Sequence, residues 1–368
     1  MNKRSLLKIF AENKKKKDWN LDLSGLGIAQ LPREIGGLKH VERLQLGHNK
    51  LKSLPNEILK LPKLKTLFLH GNRFIQIPDE LLQMKSLGFL SMCGNYITSL
   101  PKYFFKGPKL EGINLSYNPL KQFPDQLLSM PTLRTLMLER TGLKYLPKEI
   151  KNLKNLNWLN IGGNTFKRFP KIIFEFAGLR QLYLAGVQLK KFPLEILNLK
   201  ELRFLGLEHN DLVYIPYGLG SLKKLISLNL SGNRISKLPD DFDNLNNLGS
   251  LDLGRNYFVE FPATVTHLKK LRFFDFSRNR IRELPPEICG MARLRFLRLE
   301  GNELVSLPKE INQLKELEGI HLVHNPLPHF SEEIIYEENA KVVLRYVGSK
   351  RGHPLADSVS PISTPFGA

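Results

Sequence analysis

A strict 23-residue period constrains this chain more than any other feature of its sequence. Two apolar residues separated by one residue recur in fourteen copies, and no insertion interrupts the series. The copies begin at Leu21, Leu44, Leu67, Leu90, Ile113, Leu136, Leu159, Leu182, Leu205, Leu228, Leu251, Phe274, Leu297 and Ile320. Such alternation puts one face of a short strand into a core and the other into solvent. Because one repeat cannot bury its own apolar face, the period predicts a stacked solenoid with capped ends.

Asparagine and proline keep the same period. Five positions after the first apolar residue stand Asn49, Asn72, Asn95, Asn118, Asn164, Asn210, Asn233, Asn256, Asn279, Asn302 and Asn325, while Leu26, Thr141 and Val187 replace asparagine in three copies. Asparagine can donate and accept at once, so we predict a buried structural ladder that satisfies backbone groups at a bend. A proline stands eleven positions after the first apolar residue in thirteen copies, where it ends strand pairing.

This pattern resembles the leucine-rich repeat, in its 23-residue intracellular type with a Leu-Pro pair. Similar repeats occur in the Ras-group-related and Shoc-type scaffold family and in the repeat arm of bacterial Roco proteins. The resemblance implies an α/β solenoid, a horseshoe with a parallel inner β-sheet and irregular or short helical segments on the convex side. It also implies that a partner protein, such as a small GTPase or another signalling protein, binds on the concave face.

The same pattern predicts four segments. Residues 1–18 form an N-terminal helical cap with Ser5 as its N-cap residue, and residues 19–330 hold the fourteen repeats. Residues 331–348 form a C-terminal helical cap that starts after Ser331 and carries an apolar stripe through Ile335, Val342, Val343 and Tyr346. Residues 349–368 are rich in Ser and Pro and are expected to be disordered.

Strand register predicts which side chains face a partner, because residues next to each buried strand position point into solvent. The candidate partner-binding residues are Phe68, Phe89, Met137, Glu139, Trp158, Tyr183, Phe204, Glu208, Asp252, Phe273, Asp275, Phe296 and Arg298. Aromatic residues dominate binding hot spots, and Trp158, Tyr183 and Phe204 occupy three consecutive copies. The alternative is that neighbouring strands simply cover each other's aromatic rings.

The net charge of +20 raises nucleic acid or anionic membrane as partners. The inner face is near neutral, with Arg43, Arg140, Arg255, Arg278 and Arg298 against Asp22, Glu139, Glu208, Asp252, Asp275 and Glu300. The basic excess must therefore lie elsewhere, including the run Lys14–Lys17. Because these positions separate aromatic residues from basic charge, nucleic acid is disfavoured, and weak contact with anionic membrane stays open.

No signature of catalysis or cofactor binding accompanies the repeats, so we expect no enzyme activity, no cofactor and no metal. His321, His324 and His329 cluster near the last copy, but a metal site would need further ligands in the correct geometry. Cys93 and Cys289 are too far apart in sequence to form a stapled cap, which favours a cytoplasmic protein with free thiols. No stretch is apolar enough to span a membrane.

Three functions remain open at this point. The leading one is a cytoplasmic protein-interaction scaffold, with a role in signalling. The second is the recognition arm of a GTPase or kinase whose catalytic domain is missing from this chain or separate from it. The third is an effector that binds a host protein on the same concave surface.

Overall fold

The computed structural model describes residues 1–104 and 109–348, so the predicted disordered tail lies outside the described residues. The chain divides into two compact units. The first comprises Met1–Leu189 and Asn198–Gly206, and the second comprises Lys190–Leu197 and Leu207–Ala368. Each unit consists of stacked repeats with one short parallel strand per 23-residue copy, which confirms the predicted fold class.

The first unit contains nine strands, in chain order, among the described residues. They are β1 Asn20–Asp22, β2 Arg43–Gln45, β3 Thr66–Phe68, β4 Phe89–Ser91, β5 Gly112–Asn114, β6 Thr135–Met137, β7 Trp158–Asn160, β8 Gln181–Tyr183 and β9 Phe204–Gly206. Each residue pairs with the one 23 positions further on, as Leu21 does with Leu44 and Leu159 does with Leu182. The central residue of each strand is buried, so the sheet has one core face and one solvent face.

The second unit contains five strands in the described part of the chain. They are β10 Ser227–Asn229, β11 Ser250–Asp252, β12 Phe273–Asp275, β13 Phe296–Arg298 and β14 Gly319–His321. The same parallel register holds, with Leu251 paired to Phe274 and Leu297 paired to Ile320. Phe274 and Phe276 replace the usual leucines here, and their rings pack against Phe258 and Phe261 in the core.

Short 3-10 helices cover the core on the side opposite the strands. They span Arg33–Gly37, Asn56–Lys60, Asp79–Gln83, Asp125–Ser129, Lys148–Asn152, Lys171–Glu175, Leu194–Asn198, Leu219–Ser221, Asp240–Asn244, Ala263–His267, Pro286–Gly290 and Lys309–Gln313. Nearly all follow the periodic proline directly, as Asn56–Lys60 follows Pro55. Proline fixes φ for the first turn, and its missing N–H would have no partner there anyway.

The periodic asparagines lie buried at the bend that follows each strand. Asn72 shows the arrangement, because its Oδ1 accepts the backbone N–H of Leu51 at 2.9 Å. Its Nδ2 donates to the carbonyl oxygens of Leu46 and Leu69 at 2.9 and 3.1 Å. One side chain therefore satisfies backbone groups in two neighbouring repeats. Where Thr141 replaces asparagine, its Oγ1 donates to the carbonyl of Leu138 at 2.8 Å.

A helix precedes the first strand. Helix α1 spans Lys3–Lys16 and buries Leu6 and Phe10. Its N-cap residue is Asn2, whose Oδ1 accepts the N–H of Ser5 at 3.0 Å, so the predicted start at Ser5 is wrong. The helix ends at Lys16, and its C-cap residue Lys17 adopts a left-handed conformation with φ of 52°.

Two helices follow the last strand. They are α2, Glu332–Ile335, and α3, Ala340–Gly348, and α3 buries Ala340, Val343 and Val347. The predicted stripe is wrong at Val342, which lies on the exposed side of α3. Residues 340, 343 and 347 share one helical face at spacings of three and four, whereas Val342 falls outside it.

Candidate binding surface on the sheet

Three aromatic residues from consecutive copies of the first unit occupy solvent-facing strand positions, and we call Trp158, Tyr183 and Phe204 the aromatic patch. The ring centroids of Trp158 and Tyr183 are 6.4 Å apart. Gly206 stands in register with Tyr183 on the next strand and has no side chain to cover its ring. All three residues are half-buried.

A hydrogen-bonded carboxylate lies in the same unit. Oε1 of Glu139 accepts the hydroxyl of Tyr117 at 2.7 Å, and Oε2 accepts the Nδ2 of Asn160 at 3.1 Å. The backbone N–H of Glu139 donates to Oγ of Ser116 at 3.1 Å. The hydrogen bond to Glu139 raises the pKa of the Tyr117 hydroxyl. Both carboxylate oxygens are thus held in fixed positions at the solvent face.

Tyr117 and Asn160 are functional candidates that the sequence analysis did not name. Tyr117 stands four positions after its first apolar residue and has φ of 57°, which turns its side chain towards Glu139. Arg140 lies over the Tyr117 ring, 5.7 Å from its centroid. The signal that could have indicated Tyr117 is an aromatic residue four positions after the first apolar residue, where the backbone is left-handed.

Phe68 and Phe89 form a second aromatic pair in the first unit, with ring centroids 5.7 Å apart. The guanidinium of Arg43 covers Phe68 from 4.8 Å. The ring of Phe89 leans over Gly112, where a Cβ atom would lie 2.6 Å from its Cδ2. Neighbouring strands therefore cover these two rings, as the alternative to partner binding predicts.

Met137, Cys93 and Glu208 complete the sheet-face residues of interest. Met137 is half-buried in register with Asn114 and Asn160. Cys93 is a free thiol whose pKa is raised by burial and by the charge of Glu139, so it is a poor nucleophile. Glu208 stands two residues after the end of β9, in the second unit, and is half-buried.

The second unit has a cavity of about 390 Å³ on the solvent face of its sheet. Phe273 and Phe296 line it, with ring planes 6° from parallel and centroids 5.2 Å apart. Phe273 is 45% exposed, whereas Phe296 leans over Gly319, where a Cβ atom would lie 2.8 Å from its Cδ1. An apolar wall of this kind suits a side chain of a bound peptide.

Charged candidates lie beside that apolar wall. Arg298 and Asp275 form an ion pair with 3.6 Å between Nη1 and Oδ2. Asp252 lies on the neighbouring strand, where burial first and the charge of Asp275 next raise the pKa of its carboxyl group. The Oδ1 of Asp252 accepts the N–H of Gly254 at 2.9 Å. The cavity therefore combines aromatic rings with two carboxylates and one guanidinium.

Two further kinds of feature are absent from the described residues, a metal-type cluster and a membrane-spanning helix. Within residues 1–104 and 109–348, no group of three or more His, Cys, Asp or Glu side chains is placed to hold a metal ion. His321 instead lies 3.5 Å from a carboxylate oxygen of Glu338. None of the helices that the structure describes has the length and apolarity needed to cross a bilayer.

Sequence comparisons agree with the repeat geometry. A family model described as leucine-rich repeat region matches residues 20–105. A second, described as leucine rich repeat, matches residues 85–143 and 200–258, and a third of that description matches residues 270–291. No curated protein matches this chain.

Solved structures of several repeat proteins are similar. A leucine-rich-repeat protein of Leptospira interrogans is 30% identical, with a TM-score of 0.69 over 92% of this chain and 96% of that one. The ectodomain of the Arabidopsis receptor kinase HAESA, in complex with an IDA peptide hormone, is 25% identical, with a TM-score of 0.63 over 84% of this chain and 59% of that one. The ectodomain of the Arabidopsis receptor kinase GASSHO1/SCHENGEN3, in complex with CASPARIAN STRIP INTEGRITY FACTOR 2, is 26% identical, with a TM-score of 0.56 over 81% of this chain and 40% of that one. This chain thus spans nearly all of the bacterial protein and less than two thirds of either plant ectodomain.

Proposed function

Because the chain belongs to the leucine-rich-repeat family, we propose that it is a protein-interaction scaffold that binds a partner on the solvent face of its sheet. Repeats of this family generally serve as modules for binding proteins, and stacked repeats provide an extended surface for doing so. We propose further that it acts in the cytoplasm and in signalling. The resemblance to Ras-group-related repeats supports a small GTPase or another signalling protein as the partner.

The aromatic patch carries this proposal. Trp158, Tyr183 and Phe204 are large side chains with few rotatable bonds, so ordering them on binding costs little entropy. They are half-buried, so part of each side chain remains available to a partner. Glu139 belongs to the same sheet face and offers a fixed carboxylate for a hydrogen-bond donor of the partner. A partner that covers this patch would gain apolar burial and one oriented polar contact.

The test compares two double variants of the full chain as bait in the source organism's lysate. Trp158→Ala/Tyr183→Ala removes two members of the aromatic patch. Trp19→Ala/Tyr217→Ala is the matched control, because it removes the same residue types from exposed positions outside the strands. Captured proteins are identified by mass spectrometry at low and high salt, and the affinity of the purified partner is then measured by calorimetry.

We expect the wild type and the control to capture the same protein at high salt, and the aromatic-patch variant to lose it. A hot-spot tryptophan or tyrosine contributes about 2 kcal/mol or more, so each substitution should weaken binding by about thirtyfold or more. Equal capture by the two variants would contradict the assignment of the site. A thermal midpoint lowered in the aromatic-patch variant alone would show that these residues act in folding.

One observation favours the second function, the recognition arm of a catalytic protein. The similar plant structures are ectodomains of receptor kinases, so repeats of this kind occur in proteins that also have a kinase. The test is the length of the natural polypeptide, measured by immunoblotting the source organism with an antibody against the repeats. A band much larger than 42.3 kDa that contains GTPase or kinase peptides would support it, and a single band at that mass would contradict it.

A further inference from the structure

One edge of the first unit carries basic charge without acidic charge. Between the ladder asparagine and the proline, the side chains six, eight and nine positions after the first apolar residue point away from the core. In the seven copies from Leu21 to Leu159, we call these positions the basic flank. Its basic residues are all exposed: Lys50, Lys52, Arg73, Lys121, Lys144, Lys167 and Arg168. No acidic residue occupies any of these positions.

Backbone hydrogen bonds join neighbouring copies along the flank. The N–H of Arg73 donates to the carbonyl of Leu51 at 2.8 Å, and the N–H of Lys167 donates to the carbonyl of Lys144 at 3.1 Å. Neighbouring copies therefore lie about one strand spacing apart, roughly 5 Å. Five copies between Leu44 and Leu159 carry a cation, with only the Leu90 copy interrupting them, and they extend over roughly 25 Å. A row of cations at this spacing matches a linear polyanion better than it matches a compact anion.

The second unit provides an internal comparison. At the same positions of the second unit, Lys190 and Lys191 are followed along the chain by four basic residues and four acidic ones: Arg234, Lys237, Arg280 and Arg282 against Asp211, Glu260, Glu283 and Glu303. Some of these neutralise each other, as Arg234 does with Asp211 at 2.7 Å and Arg282 does with Glu303 at 3.7 Å. Within the described part of the chain, no basic residue of the flank forms an ion pair.

Carboxylates of the first unit lie elsewhere in the repeat. Glu34, Glu57 and Glu80 occupy the first turn of the 3-10 helices, beyond the proline, where the helix N-terminus favours negative charge. Lys3 forms an ion pair with Glu34 at 2.8 Å. The basic flank thus lies beside an acidic row and keeps its own charge unneutralised.

Exposed tyrosines lie among these cations. Tyr96 and Tyr145 occupy flank positions and are 60% and 57% exposed. The ammonium of Lys167 lies 5.4 Å from the ring centroid of Tyr145, and the hydrogen bond between them raises the pKa of Lys167. The expectation that aromatic residues and basic charge lie on different surfaces rests on strand positions alone. The basic flank lies outside the strands and carries both. Basic grooves with aromatic side chains are typical of surfaces that bind single-stranded nucleic acid.

A recess opens at the N-terminal end of the flank. Lys50, Lys52 and Arg73 line this cavity of about 820 Å³ together with Arg33. A flexible chain can enter such a recess, whereas a planar bilayer cannot fill it. Ile75 and Pro119 are the only aliphatic side chains larger than alanine at the flank positions, and peripheral membrane binding depends on buried apolar area.

We propose that the basic flank binds the phosphodiester chain of single-stranded nucleic acid. Its lysines and arginines contact successive phosphates, and Tyr96 and Tyr145 stack against bases. This activity is separate from partner binding on the solvent face of the sheet.

The experiment measures binding of the full chain to a fluorescently labelled oligouridylate and oligothymidylate by anisotropy, over a series of salt concentrations. Lys144→Glu/Lys167→Glu is the flank variant. Arg280→Glu/Arg282→Glu is the matched control in the second unit, because it makes the same charge change and also removes a cation from a tyrosine ring, that of Tyr257. A parallel arm measures sedimentation with vesicles of phosphatidylcholine and phosphatidylserine in equal parts. Circular dichroism verifies that each variant is folded.

We expect the flank variant to bind the oligonucleotide at least tenfold more weakly than wild type. The loss of two phosphate contacts should make the negative slope of log affinity against log salt shallower by about 1.4. The control should bind within about twofold of wild type, since its positions belong to a neutral surface. Tyr96→Ala/Tyr145→Ala should weaken binding while leaving that slope unchanged, because stacking releases no counterions.

Three results would overturn the proposal. The first is no binding of either oligonucleotide at low salt. The second is an equal loss in the flank and control variants, which would reduce the effect to net charge. The third is binding to the vesicles without binding to the oligonucleotides, which would assign the flank to an anionic membrane surface.

Discussion

Asn118 allows the contribution of one ladder rung to be worked out from its contacts. Its Oδ1 accepts the N–H of Ile97 at 2.9 Å. Its Nδ2 donates to the carbonyl oxygens of Met92 and Leu115, both at 2.9 Å. The side chain is buried, with 2% of its surface exposed. Asn118→Ala would therefore leave one backbone donor and two backbone acceptors buried without their partner.

A buried polar group that loses its partner costs about 1–3 kcal/mol, and a carbonyl oxygen tolerates the loss better than an N–H. We therefore expect Asn118→Ala to lower the free energy of unfolding by about 3–6 kcal/mol. Asn118→Thr should cost about half as much, because a threonine hydroxyl can still donate to one carbonyl, as Thr141 does to Leu138. Asn155→Ala is the control, since its Nδ2 donates to Pro131 at the exposed surface.

The assay is urea unfolding followed by tryptophan fluorescence. Trp19 and Trp158 are the two tryptophans of the chain, and both belong to the first unit, so their signal reports the unit that contains Asn118. The control should change the free energy of unfolding by less than about 1 kcal/mol. A similarly small change for Asn118→Ala would refute the reasoning, because it would show that the neighbouring carbonyls and N–H groups find other partners.

Three further predictions concern the solvent face of the sheet. Gly112→Ala should destabilise the first unit by about 1–3 kcal/mol through overpacking against Phe89, and a loss of the same size in a Phe89→Ala background would contradict that contact. Asp252→Asn should raise the calorimetric midpoint of the second unit at neutral pH. The raised pKa of Asp252 means that folding disfavours its charged form, so the gain should vanish as the pH falls to the carboxyl group's ordinary value of 3.8; a gain that persists there would disprove this origin. At pH 8, iodoacetamide should modify Cys93 more slowly than it modifies a cysteine in an unfolded chain, because the pKa of Cys93 is raised. Glu139→Gln removes the neighbouring charge and should make this reaction faster than in the wild type, as measured by mass spectrometry of the peptide.

The repeat architecture could be predicted because one pattern specifies strand, bend and return segment at once. A period of 23 residues fixes which residues pair between strands, as Leu44 pairs with both Leu21 and Leu67. The division into two units carries no comparable signal, since the period continues through it without insertion. At the N-terminus, Asn2 and Ser5 are both suitable N-cap residues, and their spacing cannot decide which one caps the helix.

The candidate site was predictable only in its coarse position. Register indicated which residues point away from the core, and the aromatic residues lie where it placed them. Their packing against neighbours depends on rotamers, which alternation does not specify. The contact between Tyr117 and Glu139 depends further on a left-handed backbone conformation after the strand. Strand register does not indicate the basic flank, because its residues occupy loop positions outside the strands.

The aromatic residues at the first strand position can still be sorted by what stands 23 residues later. Phe89 and Phe296 are each followed in register by a glycine, and each ring leans over that glycine. Their half-burial is therefore explained by the sheet itself, much as aromatic rings cover glycines in designed sheets. Trp158 is followed in register by Gln181, and Phe273 by another phenylalanine. Neither of these two rings can therefore lie over a glycine in the same way. We therefore expect the proposed partner binding on the sheet face to depend most on Trp158 in the first unit and Phe273 in the second.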